Sequence, residues 1–267
     1  MVRADRIPCA LSIAGSDSGG GAGIQADLKA FAACGVHGLT AITAITAQNT
    51  ITVTEVFPVP PAMILAQVRA VAQDIGVDAV KIGMLGNVET IEAVAEALDE
   101  LSSGTPVVLD PVMVSESGAT LLEPSARDAL VKQLLPRATV VTPNLAEALA
   151  LLDRDGDPAA AEVPALARAI HSLGPDVVVV TGGHRAQATD VFYDGVRLEE
   201  LAGERHPDGA AHGSGCTHSS VLAARLAWGD SPLTAARIAK RRASEAVRDG
   251  LAAIGAGPGP VDVLGVT

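Results

Sequence analysis

A glycine-rich segment near the amino terminus places the tightest constraint on how this chain can fold. Residues 14–27 have the sequence AGSDSGGGAGIQAD; they follow an apolar run at 9–13 and open a pattern with Ile24, Leu28 and Phe31 at helical spacing. Open α/β sheets build small-molecule sites from a strand, a glycine loop and a helix, because glycine permits close backbone approach and the helix start offers unpaired N–H groups. The segment therefore predicts a ligand site at one end of a sheet.

Apolar, β-branched runs alternate with helical patterns along most of the chain. The strand-like runs are residues 9–13, 39–46, 52–57, 79–82, 106–109, 139–142, 177–181 and 189–193. After the first helix, further helical patterns lie near residues 64–75, 88–101, 125–135, 145–152, 163–173, 216–228 and 233–254. Continuous apolar strands separated by helices predict an α/β fold, with a mostly parallel sheet covered on both faces.

Two places interrupt this alternation. Residues 46–58 contain strand-like segments with little room for a helix, which predicts a flap or an edge hairpin. Residues 189–201 predict a strand pair that turns at Asp194-Gly195. Neither place separates domains, and the polar, proline-punctuated segment 154–164 is typical of a surface connection. We therefore expect residues 1–267 to form a single domain.

Composition excludes several classes of function. The net charge is −12 and aromatic residues make up 2% of the chain. This gives no electrostatic footprint for nucleic acid or an anionic membrane, and few rings on which bases could stack. Three cysteines without paired or metal-type spacing indicate a reducing compartment, and no apolar run approaches the ~20 residues that a membrane span needs. The expected location is the cytoplasm.

A second glycine loop lies at residues 212–217, with the sequence HGSGCT, just before a helical pattern. Gly213 and Gly215 would present backbone N–H groups at a helix start, an arrangement suited to a phosphoryl group in transfer. Cys216 falls in the first turn, where the helix dipole should lower its pKa. Considered alone, Cys216 is equally typical of a small buried residue. The two glycine loops together favour a catalytic interpretation.

Polar side chains at strand ends form a third element. Asp110 ends an apolar strand, while Asn144 and Glu147, three residues apart, follow another. This spacing places both on one face of the first helical turn, where their oxygen atoms could hold Mg²⁺ directly or through water. A helix cap explains Asn144 and Glu147 equally well. Both interpretations remain open from the sequence.

Other motifs are weaker. Gly21-x-Gly23-x-x-Ala26 satisfies a loose dinucleotide-binding fingerprint, but the acidic residue expected about 20 positions later is missing. No Walker-type sequence occurs. The histidines at 206, 212 and 218 recur every six residues, which does not place them on one helix face, and no cysteine pair completes a zinc set. A dehydrogenase, a P-loop enzyme and a zinc protein are all disfavoured.

The motifs, in this order, resemble the hydroxymethylpyrimidine/phosphomethylpyrimidine kinases of thiamine synthesis, a branch of the ribokinase-like superfamily. The resemblance covers residues 14–29, 47–50, 81–85, 110–112, 142–147, 182–184, 212–217 and 257–261. It implies a three-layer α/β/α sandwich with a central, mostly parallel sheet, working as a homodimer. It also implies two ATP-dependent phosphorylations at one site with Mg²⁺. The first is on the hydroxymethyl group of 4-amino-5-hydroxymethyl-2-methylpyrimidine, and the second is on the resulting monophosphate.

The resemblance also implies roles for individual residues. The pyrimidine-binding positions fall on Gly15, Asp27, Gln48, Met84 and Val112. The amide of Gln48 could pair with a ring nitrogen and the exocyclic amine of an aminopyrimidine, and the Asp27 carboxylate would accept a hydrogen bond from that amine. ATP-binding positions fall on Thr181, Gly183 and Ser214. Cys216 stands where related sugar kinases carry an aspartate base, with the loop glycines Gly213 and Gly215 beside it.

Two positions depart from the family pattern. Family members commonly carry lysine where this chain has Thr181 and Gly209. Phosphate charge must then be met by backbone N–H groups, by Mg²⁺, or by a cation such as Arg185, Arg205 or Lys240. The alternative functions are a pyridoxal kinase of the same superfamily and a pyrimidine-binding relative without catalytic activity. Gln48 favours the aminopyrimidine, and the complete Cys216 loop favours catalysis.

Overall fold

The sheet contains six parallel strands extended by antiparallel strands at both edges. The computed structural model describes residues 6–115, 118–156, 158–182 and 188–266. The described strands are β1 (Cys9–Ser16), β2 (His37–Gln48), β3 (Val53–Pro58), β4 (Ala79–Ile82), β5 (Val107–Leu109), β6 (Val140–Val141), β7 (Val177–Val180), β8 (Asp190–Tyr193) and β9 (Leu198–Leu201). Their order is β3-β2-β1-β4-β5-β6-β7-β8-β9. Strands β3, β8 and β9 are antiparallel to their neighbours and all other pairs are parallel. The predicted mostly parallel sheet is confirmed.

Helices cover both faces of this sheet. They are α1 (Gly23–Ala33), α2 (Pro61–Asp74), α3 (Val88–Asp99), α4 (Ala126–Ala129), α5 (Leu145–Leu151), α6 (Val163–His171), α7 (Ser214–Ala227) and α8 (Pro232–Arg248). None of these described helices has both the length and the apolar composition needed to cross a bilayer.

Successive residues of a strand belong to two different apolar clusters, because their side chains point to opposite faces of the sheet. On β7, Val178 and Val180 belong to a cluster with residues of α2 to α6. Their neighbours Val177 and Val179 belong to a second cluster with residues of α1, α7 and α8. Both clusters contain fully buried valines, which is typical of a parallel sheet covered on both faces. The structure is therefore the expected three-layer α/β/α sandwich.

Both irregular places predicted from the sequence are hairpins at the sheet edges. Strand β2 continues to Gln48, and β3 returns antiparallel to it. Strands β8 and β9 pair antiparallel across a turn in which Asp194 Oδ1 accepts hydrogen bonds from the amides of Val196 and Arg197. Gly195 lies in this turn at φ +87°, a left-handed conformation that glycine adopts at little cost. The edge hairpin and the turn at Asp194-Gly195 are confirmed.

Two predicted helices differ from the structure. The segment 125–135 is α4 followed by a π-helical stretch Leu130–Leu134 and a 3-10 turn Leu135–Arg137. The last helix, expected to reach residue 254, ends at Arg248. The chain turns at Gly250, where a Cβ atom would lie 2.6 Å from the Cβ of Ala210. A tertiary contact therefore ends this helix earlier than its apolar pattern indicates.

Candidate active site

The main cavity lies at the carboxyl ends of the parallel strands, where loops from several strands converge. It has a volume of about 450 Å³ and is lined by residues that follow β1, β4, β5, β6 and β7, together with parts of α7 and α8. The predicted site residues that line it are Gly15, Gln48, Met84, Asp110, Val112, Asn144, Glu147, Thr181, Gly213, Ser214, Gly215 and Cys216. Of the other two, Asp27 lies outside this lining and Gly183 lies outside the described residues. Twelve of the fourteen predicted site residues therefore line one cavity.

The second glycine loop forms the amino-terminal end of α7. Gly213 is the residue before the helix and has φ +82°, and a Cβ atom there would collide with the carbonyl oxygen of Gly21. The Ser214 amide donates to Ala211 O at 3.0 Å. The following amides, of Gly215 and Cys216, have no carbonyl one turn earlier within the helix. This places the expected anion-binding N–H groups at the cavity.

Asp17 connects the two glycine loops. Its carboxylate accepts hydrogen bonds from the amides of Gly19, Gly21 and Ala22 at 2.8–3.0 Å. His212 Nε2 lies 3.2 Å from Asp17 Oδ2, which joins the first loop to the second. Burial alone would raise the pKa of Asp17, but the hydrogen bonds from His212 and the loop amides outweigh it and lower the pKa. Asp17 is a structural residue that the sequence interpretation did not identify.

A buried ion pair lies beneath the cavity. Lys81 Nζ is 2.9 Å from Asp27 Oδ1 and 3.9 Å from Asp110 Oδ2. Asp27 also accepts hydrogen bonds from Ser220 at 2.7 Å and from Ser12 at 2.6 Å. The carboxylate is completely buried below the cavity, and Lys81, Ser12 and Ser220 are its three side-chain donors. The structure corrects the expectation that Asp27 contacts the pyrimidine: its role here is to hold Lys81.

Lys81 is the principal residue of the site to which sequence reasoning assigned no role. Its side chain is fully buried and still contributes to the cavity lining. Burial alone would lower the pKa of Lys81, but the negative charges of Asp27 and Asp110 outweigh it and raise the pKa above its ordinary value. The ammonium group is therefore permanently charged. A lysine inside the otherwise apolar strand 79–82 was the available signal.

The pKa of the Cys216 thiol is not lowered, as its position at the start of a helix had predicted, but raised. Burial raises the pKa of the Cys216 thiol, and the ammonium of Lys81 only partly offsets this. With the carboxylates of Asp27 and Asp110 opposing Lys81, the pKa is raised to about 12. The predicted decrease in pKa is wrong, because desolvation of a thiolate here outweighs the helix dipole. In the free protein Cys216 is a neutral thiol at the cavity wall.

Asn144 and Glu147 form the helix cap that the sequence had left open. The Glu147 amide donates to Asn144 Oδ1 at 2.9 Å, and the Asn144 amide donates to Glu147 Oε2 at 2.8 Å. Burial raises the pKa of Glu147 to about 8, and the nearby charge of Asp110 adds to the increase. Burial likewise raises the pKa of Asp110, against the opposing effect of Lys81. Both carboxyl groups would therefore be stabilised as anions by a cation in the cavity.

The donor set partly fits a magnesium ion. Within the described ranges, no group of three or more His, Cys, Asp or Glu side chains is arranged to hold a metal. Asp110, directly after β5, and Glu147, in the first turn of α5, both place carboxyl groups in the cavity lining. Mg²⁺ commonly binds through one or two carboxylates together with substrate phosphates and water. The pair fits that type of site, in which the protein supplies only part of the coordination.

The cavity has a ring-sized end and a polar end. At the first end, Gln48 closes β2, and Met84 and Val112 form apolar walls. A Cβ atom on Gly15 would lie 3.2 Å from Met84 Sδ, so glycine keeps this end open. At the other end, Thr181 donates its amide to Pro143 O at 2.9 Å and lines the cavity.

Gly209 is explained by packing against α8. A Cβ atom at this position would collide with the backbone carbonyl of Val247. A lysine at 209 would therefore require the backbone to move. Among the cations considered from the sequence, Arg205 and Lys240 line the cavity, whereas Arg185 lies outside the described residues.

The ion pair between Lys81 and Asp27 predicts strong coupling between two substitutions. Lys81→Met should reduce the free energy of unfolding by about 3–5 kcal/mol, because it leaves Asp27 buried without its counter-charge. Adding Asp27→Asn should recover part of this loss. Guanidinium unfolding at pH 7 measures both effects. The exposed Lys132→Met serves as control, with a change within about 0.5 kcal/mol. If the two substitutions changed the free energy of unfolding strictly additively, the predicted coupling between Lys81 and Asp27 would be wrong.

The raised pKa of Cys216 predicts how its alkylation depends on pH. Because the thiolate is the reactive form, the rate with iodoacetamide should rise about tenfold per pH unit from pH 7 to pH 10 without a plateau. Peptide mass spectrometry isolates the signal of Cys216 from those of Cys9 and Cys34. In guanidinium, the alkylation rate of Cys216 should level off above a pH of about 8.5, because the thiol of an unfolded chain has its ordinary pKa. An alkylation rate that levels off near pH 7 in the folded protein would show instead that the pKa of Cys216 is lowered.

Comparisons with known proteins agree with this geometry. The sequence model of the family described as phosphomethylpyrimidine kinase matches residues 17–262. A hydroxymethylpyrimidine/phosphomethylpyrimidine kinase from Rhizobium meliloti is 50% identical over 256 residues, which cover 94% of this chain and 95% of that protein. The corresponding protein from Synechococcus elongatus is 46% identical over 258 residues, covering 96% and 97%.

Solved structures share the fold. The ADP complex of Bacillus subtilis pyridoxal kinase has a TM-score of 0.87 and 40% identity, covering 96% of this chain and 97% of that one. A phosphomethylpyrimidine kinase from Clostridium difficile has a TM-score of 0.79 and 38% identity, covering 90% and 99%. The ribokinase-like fold expected from the sequence is confirmed. With a family model matched over most of its length and relatives that are 46–50% identical to it, this chain belongs to the phosphomethylpyrimidine kinase family.

Proposed function

We propose that this protein is an ATP-dependent kinase of thiamine biosynthesis. It phosphorylates 4-amino-5-hydroxymethyl-2-methylpyrimidine and then converts the monophosphate to the diphosphate. One observation carries the proposal: a single cavity joins a ring-sized end containing Gln48 to the glycine loop that bears Cys216. The relatives that are named for both reactions support it, since they match nearly the whole chain.

The pyrimidine ring lies between Met84 and Val112 in this proposal. The Gln48 amide can donate to a ring nitrogen and accept from the exocyclic amine, which is the pairing that an aminopyrimidine offers. The absence of a side chain at Gly15 gives the ring room beside Met84. Asp27 is not assigned to the substrate, because its carboxylate is occupied by Lys81 and two serine hydroxyls.

ATP occupies the polar end, with Thr181, Gly183 and Ser214 as its proposed contacts. Support comes from Thr181 and Ser214 in the cavity lining and from the ADP complex of the Bacillus subtilis pyridoxal kinase. Asp110 and Glu147 are the proposed carboxylates for Mg²⁺, while Asn144 holds Glu147 in place. When bound there, Mg²⁺ would neutralise charge on the phosphate oxygens.

In the first reaction, the hydroxymethyl oxygen attacks the terminal phosphoryl group of ATP. The amides at Gly213, Gly215 and Cys216 surround the start of α7, where they can stabilise charge on the transferring group. Cys216 accepts the hydroxyl proton as the thiolate, after its own proton has left to solvent, and the ammonium of Lys81 favours that thiolate. A loose transition state releases the hydroxyl proton late, so the step asks little of its base.

In the second reaction, the acceptor is a phosphate that is already ionised. No strong base is required for that step. One cysteine beside a permanently charged Lys81 therefore suits both reactions better than a carboxylate base would. The same residues can act twice if the monophosphate returns to the site with its phosphate toward α7.

Further properties are proposed with the function. The chain acts as one domain, supported by the continuous sheet from β3 to β9. It works as a homodimer, supported by exposed apolar residues on β2 and β3 at one sheet edge and on the following helix α2, namely Ile45, Val56, Phe57 and Met63. It acts in the cytoplasm, supported by the three free cysteines.

The decisive experiment is an assay with ATP, Mg²⁺ and the hydroxymethylpyrimidine that resolves both products by chromatography. We expect the monophosphate to appear first and the diphosphate to follow. Cys216→Ala should slow the first step roughly ten- to hundredfold, and the second step much less, because only the first needs a proton acceptor. Cys34→Ala, which lies outside the cavity lining, is the matched control.

Three outcomes would contradict parts of the proposal. Unchanged rates of both steps in Cys216→Ala would remove the role of Cys216. ATP hydrolysis without any phosphorylated pyrimidine would remove the substrate assignment. Complete absence of pyrimidine-dependent ATP turnover would favour the pyrimidine-binding relative without catalytic activity.

A second candidate is a pyridoxal kinase. The specific observation in its favour is the TM-score of 0.87 with the Bacillus subtilis pyridoxal kinase, above the 0.79 with the Clostridium difficile phosphomethylpyrimidine kinase. We expect at most weak activity on pyridoxal, because Gln48 matches the aminopyrimidine. A kcat/KM for pyridoxal equal to that for the pyrimidine would reverse the order of the two candidates.

The raised pKa of Glu147 predicts a pH-dependent magnesium requirement. Below pH of about 8 the proton competes with Mg²⁺ for this carboxyl group, so the Mg²⁺ concentration giving half-maximal rate should rise as the pH falls from 8 to 6. Glu147→Gln keeps a cap acceptor but removes the charge. It should raise the requirement several-fold at pH 8 and flatten its dependence on pH.

The exposed Glu92→Gln on α3 is the control and should leave the requirement unchanged. If Glu147→Gln also left the Mg²⁺ dependence unchanged, Glu147 would be a helix cap and nothing more.

A further inference from the structure

A buried histidine at the polar end of the cavity has no role in the reactions described above. His218 lies on α7, two residues after Cys216, and is 4% exposed. It lines the cavity together with Asp190 from β8 and Lys240 from α8. Three separate elements therefore bring ionisable side chains together where the nucleotide is proposed to bind.

The hydrogen bonds around Asp190 satisfy only one side of its carboxylate. Oδ1 accepts from Lys240 Nζ at 2.6 Å and from the Gly182 amide at 2.9 Å. Oδ2 lies 3.5 Å from His218 Nε2, which is too long for a well-formed hydrogen bond. Within the described part of the chain, neither Oδ2 nor either ring nitrogen of His218 has a hydrogen-bond partner.

This cluster requires an explanation, because buried polar atoms are nearly always paired. Thr142 Oγ1 also lines the cavity and also has no partner among the described residues. These unpaired polar atoms, after β6, at the start of β8 and in the first turns of α7, therefore all belong to residues of the cavity lining. A ligand with several polar oxygens would satisfy them together.

The charges indicate which kind of ligand fits. Burial alone would raise the pKa of Asp190, but His218 and Lys240 outweigh it and lower the pKa. The carboxylate is therefore ionised and balanced by Lys240, and an anionic ligand beside His218 could accept a hydrogen bond from an imidazole N–H. The amides at the start of α7 offer further donors on the same side.

We propose that His218 binds the phosphate groups of the nucleotide and that Asp190 is the positioning residue that orients its imidazole. This inference rests on the proposed function, because it deepens the assignment of the nucleotide end. It supplies an imidazole N–H donor on α7 itself, in a chain that has threonine at position 181 and glycine at position 209.

The test compares ligands with and without phosphate. Calorimetry measures the affinities of ADP, AMP-PCP and adenosine for the full chain, for His218→Leu and for His218→Gln. We expect His218→Leu to weaken both phosphate-bearing ligands roughly tenfold and to leave adenosine within twofold, because a hydrogen bond to a charged group is lost. His218→Gln, which retains a donor, should lose less. His37→Leu makes the same change at an exposed position on β2 and is the control.

Two further readouts separate binding from packing. His218→Leu removes two ring nitrogens that have no partner among the described residues. If histidine is retained there for its ligand, the melting temperature of the ligand-free variant should equal or exceed that of the ligand-free wild type. In turnover, the KM for ATP should rise about tenfold with kcat within twofold. If the leucine variant does not fold, the glutamine variant gives the same comparison of ligands.

The outcomes distinguish this inference from the proposed function. Unchanged ADP affinity in His218→Leu, or an equal loss for adenosine, overturns the role of His218 even if pyrimidine is phosphorylated. A wild type that binds ADP but does not phosphorylate the pyrimidine overturns the proposed function alone. In that case a tenfold loss of ADP affinity in His218→Leu still supports His218 as a phosphate contact.

Discussion

The buried ion pair between Lys81 and Asp27 is the interaction on which the rest of the site depends. Lys81 comes from β4 and Asp27 from α1, while the hydroxyls that complete the carboxylate come from Ser12 on β1 and Ser220 on α7. Four elements are thus connected through one group. A charge buried without these partners would be strongly destabilising, so the pair forms only when the helices are correctly placed on the sheet. The cavity floor and the packing of α1 against α7 are therefore established together.

The two glycine loops depend on a second connection above that floor. Asp17 gathers the amides of the first loop, and His212 joins it to the second. The backbone of His212 also pairs with the carboxyl-terminal segment, through Gly259 O and the Val261 amide. Because a side chain on Gly213 would collide with Gly21, the loops can approach this closely only as glycines. The anion-binding amides are held by three segments that are far apart in sequence.

Local sequence rules predicted most of what depends on short-range pattern. The alternation of apolar runs and helical patterns located the strands and the α/β class, since both depend on side-chain periodicity. The capping box at Asn144 and Glu147 was also visible, because a cap involves neighbours three residues apart. Motif order was sufficient to bring twelve of the fourteen predicted site residues into one cavity lining, even though they are distributed along the whole chain.

The errors arose where a long-range neighbour decides the outcome. Asp27 has the right chemistry for an amine, but Lys81, 54 positions away, occupies its carboxylate. The first-turn position of Cys216 favours a thiolate, but desolvation and the carboxylates of Asp27 and Asp110 raise the pKa of the thiol. Residue 254 was expected to end the last helix, but the contact of Gly250 with Ala210 ends it sooner. Sequence spacing contains no information about such contacts.

Charge balance in the cavity explains why a nucleotide can bind to a chain of net charge −12. Both lysines at the cavity are already paired, Lys81 with Asp27 and Lys240 with Asp190, so neither offers a free charge to a polyphosphate. Asp110 and Glu147 add further carboxyl groups whose ionisation is opposed by burial. A polyphosphate would be repelled by such a wall unless a divalent cation entered with it. Among the described residues, the backbone amides at the start of α7, together with Arg205 and His218 in the cavity lining, then remain as sources of attraction, beside a cation held jointly by carboxylates and phosphates. On this charge balance, we expect the metal–nucleotide complex to bind in preference to the free nucleotide.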